Sequence, residues 1–156
     1  MKKVLGGFST ALVIIIAVIA LIFCTVRIPA GYVGVIYNMN GGISDKTLSQ
    51  GFHLISPTQK VTTYSIGIEQ SYLTSGKDGD SENDESFEVP SNDGKGLTVD
   101  MTFTYRYDAD NVANTFTRFK GQSGKEVKNT FIKPNIMSWT KEVTAKYSVI
   151  DLLGDK

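Results

Sequence analysis

Four acidic side chains, Asp78, Asp80, Glu82 and Asp84, fall at every second position of one stretch of this chain. Carboxylates at that spacing are how a loop wraps a calcium ion. In a calcium loop begun at Asp78, however, the sharp turn that needs glycine falls on Asn83, and the closing bidentate glutamate position falls on Val89. The stretch reads as a solvated acidic loop, with weak cation binding the only metal chemistry open to it. His53 is the only histidine, and it sits among Phe52, Leu54 and Ile55, a setting for a packed ring. Cys24 is the only cysteine and lies in an apolar run. One histidine and one such cysteine leave no Cys/His dyad, no H-E-x-x-H and no zinc ligand set. No G-x-S-x-G nucleophile elbow is present. Gly121-Gln122-Ser123-Gly124-Lys125 faintly matches a phosphate loop, but its glycines are too close together and Glu126 stands where a hydroxyl is needed. No catalytic residue, cofactor site or metal ligand is assigned, no cofactor is expected, and the chain reads as non-enzymatic.

The elements around these residues begin with an apolar run, Val4 to Val26, between Lys2-Lys3 and Arg27. As a helix it would be about 34 Å long, enough for a hydrocarbon core of about 30 Å. Residues 1–27 are therefore expected to form a cytoplasmic N-terminus and a single transmembrane helix. The alternative is a secretory signal peptide, which the dense core Ala11–Phe23 would fit in length. The exit sequence Phe23-Cys24-Thr25-Val26-Arg27 offers no small-residue cleavage pattern. The excess of basic residues before the run points to a cytoplasmic N-terminus and an extracytoplasmic domain.

Some 130 residues remain, enough for one domain with its own core. Sixteen basic residues balance sixteen acidic ones, so no nucleic-acid surface is indicated. Tyr32-Val33-Gly34-Val35-Ile36-Tyr37 reads as a strand, Asn38 to Gly42 as a turn, and Gly51 to Pro57 as a compact apolar turn. Gly31 and Gly34 would let another backbone or a headgroup layer come close. Lys60 to Tyr72 reads as a strand presenting Tyr64, Ile66, Ile68 and Tyr72 on one face. Residues 75–94 form an acidic, Gly/Ser/Asn-rich loop, with room for a short strand at Phe87-Glu88-Val89. Leu97, Val99, Met101, Phe103, Tyr105 and Tyr107 then alternate with polar residues, the period of a strand with one buried face.

Helical spacing takes over beyond Asp108. Asp108 and Asp110 offer N-caps for a helix carrying Val112, Phe116 and Phe119. Ser123 with Glu126, and Ser148 with Asp151, have the spacing of capping boxes. Pro134 favours the first turn of a new or kinked helix that buries Ile136, Trp139, Val143 and Tyr147. The order is α+β: strands first, then helices.

Several stretches in this order resemble one family. They are VRIPAGYVGVIYNMNGGI, LSQGFHLISPTQKVTTYSIGIEQ, EVPSNDGKGLTVDMTFTYRYD and KPNIMSWTKEVTAKYSVIDLL. Pro29-x-Gly31-x-x-Gly34-Val35, Gly51-Phe52-His53 and Asp93-Gly94 carry most of the likeness. It resembles the SPFH or band 7 family of stomatins, prohibitins, flotillins and the bacterial HflK/HflC pair, the prohibitin-like members most. The resemblance covers residues 28–156 and implies an SPFH-type domain, an antiparallel-rich sheet packed with helices. Family members continue past the equivalent of Leu153 into another strand and a coiled coil, so the resemblance implies a domain lacking its C-terminal part and the coiled coil.

The resemblance also implies function: a non-enzymatic membrane-anchored scaffold that assembles into rings or cages, organises the membrane laterally and regulates membrane-bound AAA proteases. Expected partners are membrane lipids, further copies or a paralogous subunit, and a membrane AAA protease, with no nucleic acid. The alternative is a membrane-tethered receptor using the acidic loop Asp78 to Asp93 to meet a basic partner or cation. A tethered hydrolase depending on His53 is a third reading.

Overall fold

The computed structural model describes residues 12–16, 18, 19, 22–75 and 84–154. It corrects the expected transmembrane helix. Among the described residues no helix is long and apolar enough to cross a membrane. The helical residues end at Phe23, Cys24 turns, and Thr25 and Val26 belong to a strand, β1, Thr25–Ile28. Three of that strand's four residues are β-branched, which favours a pleated backbone over a helix. The partner β4, Gly51–Leu54, takes up their backbone groups in antiparallel register, Val26 opposite His53 and Arg27 opposite Phe52. The single-pass topology, and the orientation read from flanking charges, have no support among the described residues. The rest of the expected Val4–Val26 anchor lies partly outside the described residues.

The chain forms two compact units, residues 1–64 with 109–121, and residues 65–108 with 122–156. The first holds β1 and β4, and a three-stranded sheet in the order β3-β2-β5, with β2 Tyr32–Asn38, β3 Gly42–Leu48 and β5 Gln59–Ser65. Gly51 to Leu54, expected as a turn, is a strand because β1 pairs with it. The turn expected at Asn38–Gly42 is present, with Gly42 at φ +77°. Arg27 stacks its guanidinium 5.5 Å from the centre of the Phe52 ring, holding the exposed end of the β1–β4 pair. Helix α1, Val112–Arg118, buries Val112 and Phe116, and the unit's core adds Ile28, Val33, Val35 and Tyr64. Asn111, not Asp108 or Asp110, occupies the N-cap position of α1.

The second unit holds two antiparallel pairs. β6, Glu69–Leu73, pairs with β9, Met101–Tyr105, and β7, Phe87–Pro90, pairs with β8, Gly96–Val99. The alternating run from Leu97 is thus two strands, broken at Asp100, whose carboxylate accepts hydrogen bonds from the backbone and hydroxyl of Ser75 at 3.0 and 3.3 Å. The alternation itself holds: Leu97 to Tyr107 turn one set of side chains inward and Thr98 to Arg106 the other set outward. The segment expected as one strand from Lys60 to Tyr72 also divides, at Ile66–Ile68. Beyond that break Ser71 and Leu73 are buried and Ile68 is 77% exposed. Because strand faces alternate residue by residue, an irregular step of this kind exchanges the faces.

Helix α2, Gly124–Val127, opens on the expected Ser123–Glu126 capping box, and α4, Val149–Leu153, on the expected Ser148–Asp151 box. Between them a π-helical turn, Lys128–Ile132, leads into α3, Lys133–Thr144. Pro134 sits in the first turn of α3 and has no N–H to give the preceding turn, and a π-turn is a place where that interruption can be absorbed. Leu73, Phe87 and Val89 form the buried cluster of this unit, and Leu97, Val99, Met101, Phe103, Ile136 and Met137 pack against it. The architecture is α+β, with antiparallel pairing in β1–β4, β2–β3, β6–β9 and β7–β8.

Candidate interaction surface

Helix α3 has two apolar sides. Lys133, Ile136, Met137 and Thr140 face inward, and Thr140 donates to the Ile136 carbonyl at 2.8 Å while its hydroxyl lies 3.8 Å from Met101 Sδ. Trp139 and Val143 face outward, 59% and 53% exposed, and Tyr147, past the end of the helix, is 49% exposed. Spacing of i, i+4 places Trp139 and Val143 in one row along the helix, and Tyr147 lies in the bend beyond its end at Thr144. The expectation that Trp139, Val143 and Tyr147 are buried is therefore corrected: the cluster over β7 is filled by Ile136 and Met137, and the row beside them is left to solvent. Phe131, before the helix, and Ile150 and Leu153, on α4, are exposed as well.

Polar contacts fix where that row points. The start of α3 is held by Lys133, whose ammonium donates to Glu85 at 2.7 Å, with the lysine side chain only 9% exposed. Its end is held by the turn between β7 and β8. There the amide of Asn92 donates to the Tyr147 carbonyl at 2.8 Å, and Asp93 accepts from the amide of Val149 at 3.3 Å. Gly94 completes the turn with φ +73°. Asp93-Gly94 was singled out in the sequence for its share of the family likeness. Its second role, receiving the first amide of α4, depends on a contact 56 residues away and left no local signal. Lys133 with Glu85 was missed for the same reason, since 48 residues separate the partners.

The capping boxes perturb their carboxyls. Glu126 is held below its ordinary value by the backbone N–H of Ser123, then by its hydroxyl, at 2.7 and 2.8 Å. Asp151 is lowered by the Ser148 hydroxyl, then by its backbone N–H, at 2.6 and 3.2 Å. Ser123, Gly124 and Lys125, weighed above as part of a phosphate loop, are the start of α2, and the Gly124 carbonyl accepts a hydrogen bond from the buried Tyr107 hydroxyl at 2.7 Å.

Among the described residues, those considered for chemistry are not brought together. His53 lies on β4 with Nε2 2.7 Å from the Ser49 carbonyl, a local contact that fixes the ring. Cys24 is partly buried, and its carbonyl accepts from Ile55. Asp78, Asp80 and Glu82 lie outside the described residues. Asp84 is exposed, and its carboxyl is lowered by the Ser86 hydroxyl, then by the Ser86 amide, at 2.6 and 2.9 Å. Among the described residues no three His, Cys, Asp or Glu side chains are grouped to hold a metal.

The family model described as "SPFH domain / Band 7 family" matches residues 26–156. No curated protein matches the chain.

Proposed function

This chain belongs to the SPFH domain / Band 7 family, and from that premise we propose that it is a non-enzymatic, membrane-associated scaffold built from many copies of itself or of a paralogous subunit. Members of the family are generally membrane-associated scaffolds without catalytic activity. The observation that carries the assembly reading is the outward row of Trp139 and Val143 on a helix whose other side is already packed, with Tyr147 exposed in the bend just past its end. A helix apolar on both sides gains from a second partner, and aromatic residues at the centre of an interface contribute most of its energy. The exposed apolar side chains of residues 12–16, 18, 19, 22 and 23 support the association with lipid. Lateral organisation of the membrane and regulation of a membrane-bound AAA protease are the roles such an assembly would serve.

The test is the size of the detergent-solubilised full chain by electron microscopy and mass determination, beside Trp139→Glu. The scaffold reading expects large particles that shift to small ones in the variant. Small particles from both proteins would refute it and favour the receptor reading, in which the acidic loop meets a basic partner.

A further inference from the structure

In the first unit a cleft of about 440 Å³ opens between the sheet and the end of α1. Tyr37 and Ile43 wall it from the sheet and Phe116 from the helix, with the Tyr37 and Phe116 ring centres 6.3 Å apart. Two lysines enter the lining, Lys60 from β5 and Lys120 from the turn after α1. Neither makes an ion pair with a described residue. Both lysines are exposed at its edge, and an apolar cleft of this size with a few charged groups in its lining is a usual form of a small-ligand site.

The backbone adds an independent observation. Lys120 is the only described residue other than glycine with positive φ, +54°. It is followed by Gly121 at +80°, whose amide donates to the Phe116 carbonyl at 2.8 Å and closes the helix. Glycine is the residue that takes such a left-handed position without strain, and strained side chains gather at binding sites. A lysine near a helix C-terminus also gains from the helix dipole, which accounts for part of its presence. That account does not extend to Lys60, which comes from a strand and lines the same cleft.

We propose that this cleft binds an organic anion, with a carboxylate or phosphate monoester met by the ammonium groups of Lys60 and Lys120 and an alkyl or aryl portion lying on Tyr37, Ile43 and Phe116. The inference does not depend on the scaffold reading. The same chemistry is offered by a soluble amphiphile and by the headgroup region of an anionic lipid.

The full chain is titrated with octyl phosphate below its micellar range, and the ring signals of Tyr37 and Phe116 are followed by nuclear magnetic resonance. Inorganic phosphate and octyltrimethylammonium serve as the anion without the chain and the chain without the anion. Saturable shifts with octyl phosphate, weak ones with phosphate and none with octyltrimethylammonium are expected. Lys60→Ala and Lys120→Gly should each weaken binding about tenfold, the usual effect of losing one charge-assisted contact. Glycine is the preferred residue at a left-handed position, so lost binding in Lys120→Gly cannot be put down to a damaged fold. Equal response to octyltrimethylammonium, no saturable shift, or unchanged affinity in both variants would overturn the proposal. Co-sedimentation with phosphatidylcholine vesicles only when they contain phosphatidic acid, lost in both variants, would support it with a lipid as the ligand. Binding of octyl phosphate without vesicle binding would support it with a soluble one.

Discussion

Adding one methyl group at Gly34 tests how tightly the first unit is packed. A Cβ there would lie 2.8 Å from Val61 Cγ1, 2.9 Å from Ile28 Cδ1 and 3.3 Å from Leu48 Cβ. Carbon atoms pack at about 3.5–4.0 Å, so all three contacts are too close. Ile28 is 2% exposed, leaving its Cδ1 nowhere to retreat. Leu48 Cβ is one bond from the backbone of β3, which is paired with β2 at this point, Gly34 opposite Leu48. Only Val61, partly buried on β5, has room to turn.

Overpacking of this kind costs about 1–3 kcal/mol, and replacing a glycine inside a strand returns about 0.5–1 kcal/mol of backbone entropy. Gly34→Ala should therefore destabilise by about 1–2 kcal/mol, read as a lower urea midpoint with unchanged slope. Gly41→Ala is the control, because the nearest atom to a Cβ there is Asn38 Cβ at 3.9 Å, and it should leave the midpoint in place. Combining Gly34→Ala with Val61→Ala should recover part of the loss, since the closest clash is then removed. A Gly34→Ala protein as stable as the parent, or a Gly41→Ala protein as damaged, would refute the packing argument.

Breaking the Lys133–Glu85 pair should be asymmetric. Glu85→Ala takes one carboxylate partner from an ammonium that is 9% exposed and should cost about 1–3 kcal/mol, the usual loss when a charge-assisted hydrogen bond in a partly buried setting is removed. Lys133→Met leaves a carboxylate that is 25% exposed and should cost less, and equal urea midpoints for the two variants would sink this reasoning. The capping boxes make stability depend on acid. Asp151 and Glu126 have folded values below their ordinary 3.8 and 4.5, so their contribution is full above those values and is lost as the pH falls through and below them. Ser148→Ala should shrink that acid-dependent loss, and the difference in melting temperature between neutral and acid solution would show it. An undiminished difference would mean the Asp151 box contributes nothing to it.

Local rules in the sequence anticipated local structure well. Ser123 with Glu126 and Ser148 with Asp151 form the boxes their spacing implies, because a box is completed within four residues. The inward alternation from Leu97 to Tyr107 is present, while the division at Asp100 is not written in it. Asp100 ends one ladder because Ser75, 25 residues earlier, claims its carboxylate. The apolar run before Arg27 was read by length and hydropathy alone, and the pairing of Thr25–Ile28 with Gly51–Leu54 took its end into a sheet. Gly34 was read as a place of close approach, and what approaches it is side chains from Ile28, Leu48 and Val61.

The error over Trp139, Val143 and Tyr147 has a physical source that bears on function. Apolar residues spaced i, i+4 and i+8 in a sequence carry the same signature whether the helix faces its own core or another molecule, because the gain from burying apolar surface is the same in both cases, and the spacing does not show that the helix stops at Thr144, before Tyr147. In α3 the two kinds of face coexist. Ile136 and Met137 fill the space over Leu73, Phe87 and Val89, and the outward row has no such cluster beneath it. Lys133 and the Asn92–Asp93 turn clamp the helix at its two ends, so the row cannot turn inward without breaking a partly buried ion pair or the contacts of Tyr147 and Val149. An apolar row held outward by polar clamps is costly in an isolated chain and useful in an assembled one. The cost is relieved when the row is covered, so Trp139→Glu should impair assembly while leaving the folding of the single chain unharmed. A variant that unfolds instead would place the row in the core and remove the main support for assembly through this helix.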